Sequence, residues 1–132
     1  MKNHKIMEHL KITDLSIGDW VAYEDRPYRI YAIEGCGTIR AKYEDEETLR
    51  QLQKYIDYFE PIPITPEILE KNGFVENDGR WYNSNWMMEF EQHKDGWDRT
   101  INCGEYSVYF IKHVHQLQNT LRLAGIDKEI EL

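Results

Sequence analysis

The stretch EYSVYFIKHVHQLQNTLRLAG, residues 105–125, changes its hydrophobic period within a few positions, and no other segment restricts the fold as strongly. Tyr106, Val108 and Phe110 alternate at period two, as on a half-buried strand. Val114, Leu117, Leu121 and Ala124 then recur at helical spacing. A strand that runs into an amphipathic helix predicts the closing elements of a compact α+β domain. Gly125 stands where a helix C-cap belongs, and IDKEIEL after it reads as a short extended or frayed end.

Upstream, residues 1–62 read as a small β-barrel or meander of the SH3-like kind with one helical insertion. Ile17-Gly18-Asp19 is a turn in which Gly permits the backbone and Asp caps it. WVAYE, YRIYAIE and TIRAKY follow as short strands separated by Asp25-Arg26-Pro27 and Gly35-Cys36-Gly37. In the second strand, simple alternation sets Tyr28, Ile30, Ala32 and Glu34 against Arg29, Tyr31 and Ile33. Glu44 to Glu47 then place four acids where a helix dipole would favour them, and Leu49, Leu52, Tyr55 and Ile56 supply an apolar stripe. The insertion near 45–56 is therefore expected to be helical.

Residues 63–132 read as a short helix, an antiparallel meander and the terminal helix. Pro61, Pro63 and Pro66 stiffen the approach; Thr65 can N-cap a helix with Pro66 in its first position, and Asn72-Gly73 can stop it. Four strands are expected after it: FVE, RWYN, WMMEFEQ, and WDRTIN leading into EYSVYFI. Asn77-Asp78-Gly79, Lys94-Asp95-Gly96 and Cys103-Gly104 supply the turns.

Three segments together resemble a family of uncharacterised small proteins of Bacteroidales gut bacteria, their mobile elements and their phages. They are Ile17-Gly18-Asp19-Trp20-Val21, the run from Glu60 to Phe74 (EPIPITPEILEKNGF), and Val114-His115-Gln116-Leu117-Gln118-Asn119 with Leu123 and Gly125. The resemblance spans residues 15–132. It implies a mobile-element accessory protein and carries no activity with it.

Chemistry-bearing motifs are sparse. Gly-x-Ser-x-Gly, a phosphate-binding Gly loop and His-Glu-x-x-His do not occur, so no enzyme is expected. Glu89, Glu91, Asp98 and Glu105 could serve as paired acids, but Glu89 and Glu91 alternate with Met88 and Phe90 as on an outward strand face. His113 and His115, with His93, fall short of a ligand set of typical spacing, and no metal or other cofactor is expected. His115, Gln116 and Asn119 are read instead as hydrogen-bonding and capping groups that fix the last helix on the sheet. Cys36 and Cys103 lie in separate turns and read as free thiols.

Aromatic residues carry the binding signal. Seventeen Trp, Tyr and Phe residues exceed what small cores commonly need. Trp81, Tyr82, Trp86 and Trp97 are the candidate interface anchors. The net charge of −8 is spread: residues 12–62 hold six Lys/Arg against eleven Asp/Glu, and residues 63–132 hold seven against twelve. Such a surface repels nucleic acid unless a basic patch opposes it, and none is evident from the sequence. MKNHKIMEHLKITD lacks the apolar core of a secretory signal, and no apolar run is long enough to span a membrane. The expectation is a cytoplasmic protein-interaction module with an acidic, aromatic-rich surface, for which dimerisation through a sheet face would be a natural accompaniment. The alternative is a nucleic-acid-related role, as a DNA mimic or a single-strand binder.

Overall fold

The computed structural model describes residues 10–45, 48–100 and 109–132. The chain divides into two compact units, residues 1–62 and 63–132. Among the described residues are nine strands in two antiparallel sheets, one ten-residue helix near the end of the chain and one shorter helix. No helix among them is long and apolar enough to cross a membrane.

The first unit is an open meander of β1 (Trp20–Tyr23), β2 (Arg26–Glu34), β3 (Thr38–Glu44) and β4 (Leu49–Tyr55), paired in that order. Asp19 initiates it: its buried carboxylate accepts from the Ser16 N–H at 2.9 Å, and Gly18 takes φ +95° to make the turn. Glu24 and Asp25, both at positive φ, form the two-residue connection to β2, one position earlier than the sequence suggests. Val21, Tyr28, Ile30, Ile39 and Ala41 point to one face and form a core with Leu10, Leu15 and Phe59. A bulge at Tyr31 shifts the β2–β3 register between Ile30 and Ala32. It returns Ile33, which alternation assigns to the opposite face, to the edge of this core.

Where a helix is expected near 45–56, Leu49–Tyr55 form the strand β4. The Asp45 carboxylate accepts from the Thr48 N–H at 2.6 Å, and the Asp45 N–H donates to the Thr48 carbonyl at 3.0 Å. The carboxylate bond is the same local contact that would cap a helix, so the acid run alone does not choose between the two. Pairing along β3, from Thr38 opposite Tyr55 to Glu44 opposite Leu49, decides for the hairpin. The presumed stripe accordingly splits: Leu52 and Ile56 pack on the core, while Leu49 and Tyr55 are exposed.

In the second unit, α1 (Pro66–Lys71) starts as its sequence dictates. Thr65 Oγ1 accepts from the Ile68 N–H at 3.2 Å, with Pro66 at the first helical position. It ends at Gly73, where φ +90° lets Phe74 N–H reach back to the Leu69 carbonyl at 3.0 Å. Five strands follow rather than four: β5 (Val75–Asn77), β6 (Arg80–Asn83), β7 (Met88–His93), β8 (Gly96–Thr100) and β9 (Tyr109–Ile111), paired in chain order. The expected strand residues Tyr106 and Val108, and Cys103 before them, lie outside the described residues.

Strand parity divides this sheet cleanly. Trp81, Asn83, Met88, Phe90, Trp97 and Ile111 are buried. Arg80, Tyr82, Glu89, Glu91, Asp98 and Phe110 alternate with them on the outer face. The helix α2 (Val114–Leu123) buries Val114, Leu117 and Leu121 at the predicted spacing, while Ala124 is exposed. Residues 126–132 have no regular structure, yet they are not frayed. Ile130 is fully buried, and Asn72 exchanges side-chain bonds with the Glu131 main chain, donating to its carbonyl at 2.7 Å and accepting from its N–H at 2.8 Å.

Candidate functional site

The four candidate anchors part into two groups. Trp81 and Trp97 are each 4% exposed and meet edge to face with ring centroids 5.9 Å apart. The Trp81 indole N–H donates to Gln92 Oε1 at 3.2 Å, which satisfies its one polar atom in the interior. These two rings are core, which corrects their assignment as surface anchors. Their alternation with exposed neighbours is the period-two signal of inward residues.

Tyr82 and Trp86 remain accessible, the latter half-buried with its edge on Phe74 at 5.6 Å. Tyr82 is 38% exposed and stands opposite Val75, which is 70% exposed, across the β5–β6 pair. The Tyr82 hydroxyl donates to Met87 Sδ at 3.5 Å, and Met87 itself is 75% exposed. Val75, Tyr82 and Met87 thus form a small apolar step, with Glu89 beside Tyr82 in the next strand and Arg80 bonded to Glu89 at 3.5 Å.

The loop that presents this step, Ser84–Met87, is built by Asn83. Its buried Oδ1 accepts from the N–H groups of Asn85 (3.0 Å) and Trp86 (3.2 Å). Met87 closes the loop at φ +51°, a left-handed conformation that costs a residue with a Cβ roughly 1 kcal/mol. Neither Met87 nor Val75 is marked in the sequence: Met87 falls in the WMMEFEQ strand pattern and Val75 in FVE, and no sequence signal marks a methionine for positive φ.

A second feature is a cleft of about 350 Å³ between the Pro63–Pro66 segment, the β7–β8 turn and the end of β9. His93, Lys94, Asp95, Trp97, Lys112 and His113 are among its walls. His93 Nε2 meets Asp98 Oδ2 at 2.5 Å on the sheet's outer face. The imidazoles of His113 and His115 stack nearly parallel, 5.8 Å apart. Among the described residues, no group of three or more His, Cys, Asp or Glu is placed to hold a metal. Of the candidate acids, Glu89 is paired with Arg80, Asp98 is in contact with His93, and Glu91 faces solvent opposite Asp98; Glu105 lies outside the described residues.

The helix-fixing trio is also divided. Gln116 folds back so that its Oε1 accepts from the N–H groups of Lys112 (2.8 Å) and His113 (3.0 Å), two donors that the helix start would otherwise leave open. His115 is buried. Asn119, in contrast, is exposed and takes no part in seating the helix, because it falls on the side of α2 away from Val114, Leu117 and Leu121.

The chain matches no protein-family model, no curated protein and no solved structure.

Proposed function

We propose that this protein is a non-enzymatic, cytoplasmic interaction module that captures a protein partner through the Val75–Tyr82–Met87 step, with Trp86 at its margin. One observation carries the reading: three apolar or aromatic side chains stand contiguous and exposed at a loop whose last residue holds a costly backbone angle. Strain of that kind concentrates where a residue is held out for use. Glu89 beside the step and Glu76 and Asp78 in and after β5 favour a partner segment that combines apolar side chains with Lys or Arg. The role of accessory protein in a phage or mobile element rests on the resemblance of the motifs at 17–21, 60–74 and 114–125. An SH3-like arrangement of the first unit is supported by the return of Glu60 to β1, where it exchanges two 2.8 Å main-chain bonds with Ala22 after a 3-10 turn.

Affinity capture from host lysate, with and without nuclease and read by mass spectrometry, tests the proposal. A stoichiometric protein retained after nuclease and lost with Tyr82→Ala or Met87→Asp supports it. Capture unchanged by both substitutions removes the step from consideration.

A further inference from the structure

Among the described residues four strands form the edges of the two sheets, and three of them offer little to another strand. At β1, Ala22 exchanges main-chain bonds with Glu60. β5 has three residues. β9 is also described over three, and the Lys112 carbonyl just beyond it accepts from the Ile64 N–H at 2.8 Å. β4 differs. It runs for seven residues without proline or register shift, and among the described residues it pairs with β3 alone. Natural edges are commonly kept short, bulged or interrupted by proline, because a long straight one invites another strand.

The β3–β4 ladder fixes which main-chain groups of this edge are open. Asp45 N–H donates to the Thr48 carbonyl at one end, and Ile56 N–H to the Gly37 carbonyl at the other. Both bonds belong to one register, in which Arg50, Leu52 and Lys54 exchange bonds with Tyr43, Ala41 and Ile39. The N–H and C=O groups of Leu49, Gln51, Gln53 and Tyr55 therefore point away from β3, and all four residues are exposed. Side chains sort by the same parity. Arg50, Leu52 and Lys54 lie on the face that carries Ala41, with the Lys54 ammonium 5.8 Å from the Tyr23 ring centroid and 5.5 Å from that of Tyr58. Leu49, Gln51, Gln53 and Tyr55 lie on the other face.

Charges on an edge exclude most strands, and here they also choose among occupants. A second copy of this chain is a poor one: in the fully overlapped antiparallel register, Leu52 on Leu52, Arg50 opposes Lys54 twice, and like charges directly opposite are destabilising. A strand with acids at those two positions and an apolar residue between them turns both cations into favourable cross-strand pairs. On the other face, β-branched residues suit the exposed Leu49 and Tyr55. The overall acidity of the chain does not oppose this, since salt screens charges beyond ~8 Å whereas paired strands stand about 4.8 Å apart. We propose that the β4 edge captures, by antiparallel strand addition, an extended acidic segment of a partner protein with the alternation apolar, acid, polar, apolar, polar, acid, apolar. This site lies in the first unit and is independent of the Val75–Tyr82–Met87 step.

The probe is the capped, fluorescently labelled heptapeptide Val-Glu-Thr-Val-Thr-Glu-Val, with anisotropy read against the purified full chain. Saturable binding is expected, weakened about tenfold or more when both Glu are replaced by Lys. N-methylation of both Thr should abolish it, because it removes the donors that face Gln51 and Gln53. Gln53→Pro takes away one outward N–H while leaving the ladder to β3 whole, and should weaken binding about three- to tenfold. Arg50→Glu combined with Lys54→Glu should reverse the preference, so that the Lys peptide binds better than the Glu peptide. Lys128→Glu, an exposed change in the other unit, should leave binding unaltered. Circular dichroism verifies the fold of each variant. Absence of binding by the Glu peptide, equal binding of the Lys peptide, or dimers in sedimentation that Gln53→Pro dissolves would each overturn the assignment.

Discussion

Asn83 donates from its carboxamide to the main-chain carbonyl of Asn72 at 2.9 Å, joining the end of β6 to the end of α1. Asn83 is 2% exposed, and its other amide atom holds the loop that carries Trp86 and Met87. Asn72 in turn bonds the tail at Glu131 and the Ile68 carbonyl at 2.7 Å. One buried amide therefore couples the exposed step to helix, sheet and tail.

Asn83→Ala should lower the stability of the chain by about 1–2 kcal/mol, because it takes a buried carboxamide from one carbonyl and two N–H groups that are only partly open to water. Urea denaturation measures this. A loss below about 0.5 kcal/mol would mean that solvent reaches these groups.

Gly96 is fixed by close approach rather than by backbone angle. A Cβ there would lie 2.5 Å from Phe110 Cζ and 2.8 Å from the Ile111 carbonyl oxygen. Gly96→Ala is expected to cost about 1–3 kcal/mol by overpacking. Adding Phe110→Ala should recover only part, because the backbone oxygen remains in the way. Full recovery in the double variant would assign the whole effect to the ring.

Cys36 is exposed, with its Sγ 3.2 Å from Thr38 Oγ1. The hydrogen bonds from Thr38, side chain first and then backbone, hold the thiol below its ordinary pKa. A lowered pKa means more thiolate at neutral pH, so the alkylation profile in a Cys103→Ser background should rise at lower pH than that of an ordinary cysteine. Thr38→Val should move the profile upward. Superimposable profiles would rule out the Thr38 contribution.

Met87→Gly separates stability from recognition. Relief of φ +51° should raise stability by about 0.5–1 kcal/mol, while removal of an exposed anchor should reduce partner capture. Loss of both together would show that the methionine is structural.

Local chemistry was the legible part of the sequence. The Thr65-Pro66 start, the stripe of Val114, Leu117 and Leu121, and the short strand at Arg80–Asn83 depend on neighbours a few residues away, and the structure has each of them. Near 45–56 the sequence favours a helix because Asp45 can make the same bond to Thr48 in either conformation, and only the distant partner β3 distinguishes them. Ile33 was placed on the wrong face because a bulge leaves no mark in the hydrophobic pattern. For the candidate site, residue type drew attention to tryptophan, whereas burial assigns Trp81 and Trp97 to the interior and leaves Tyr82 with the unnoticed Val75 and Met87 outside.

The bond between Asn72 and Glu131 spans 59 positions of chain. Closing so long an interval costs entropy before any contact repays it. The end of α1 is therefore expected to acquire its partners in the tail late, after the meander has formed. Until the tail docks, the Asn72 side chain would lack its two bonds to Glu131. Hydrogen exchange at the Glu131 N–H, which donates to Asn72, is then the readout, with protection expected after that of the strands on refolding.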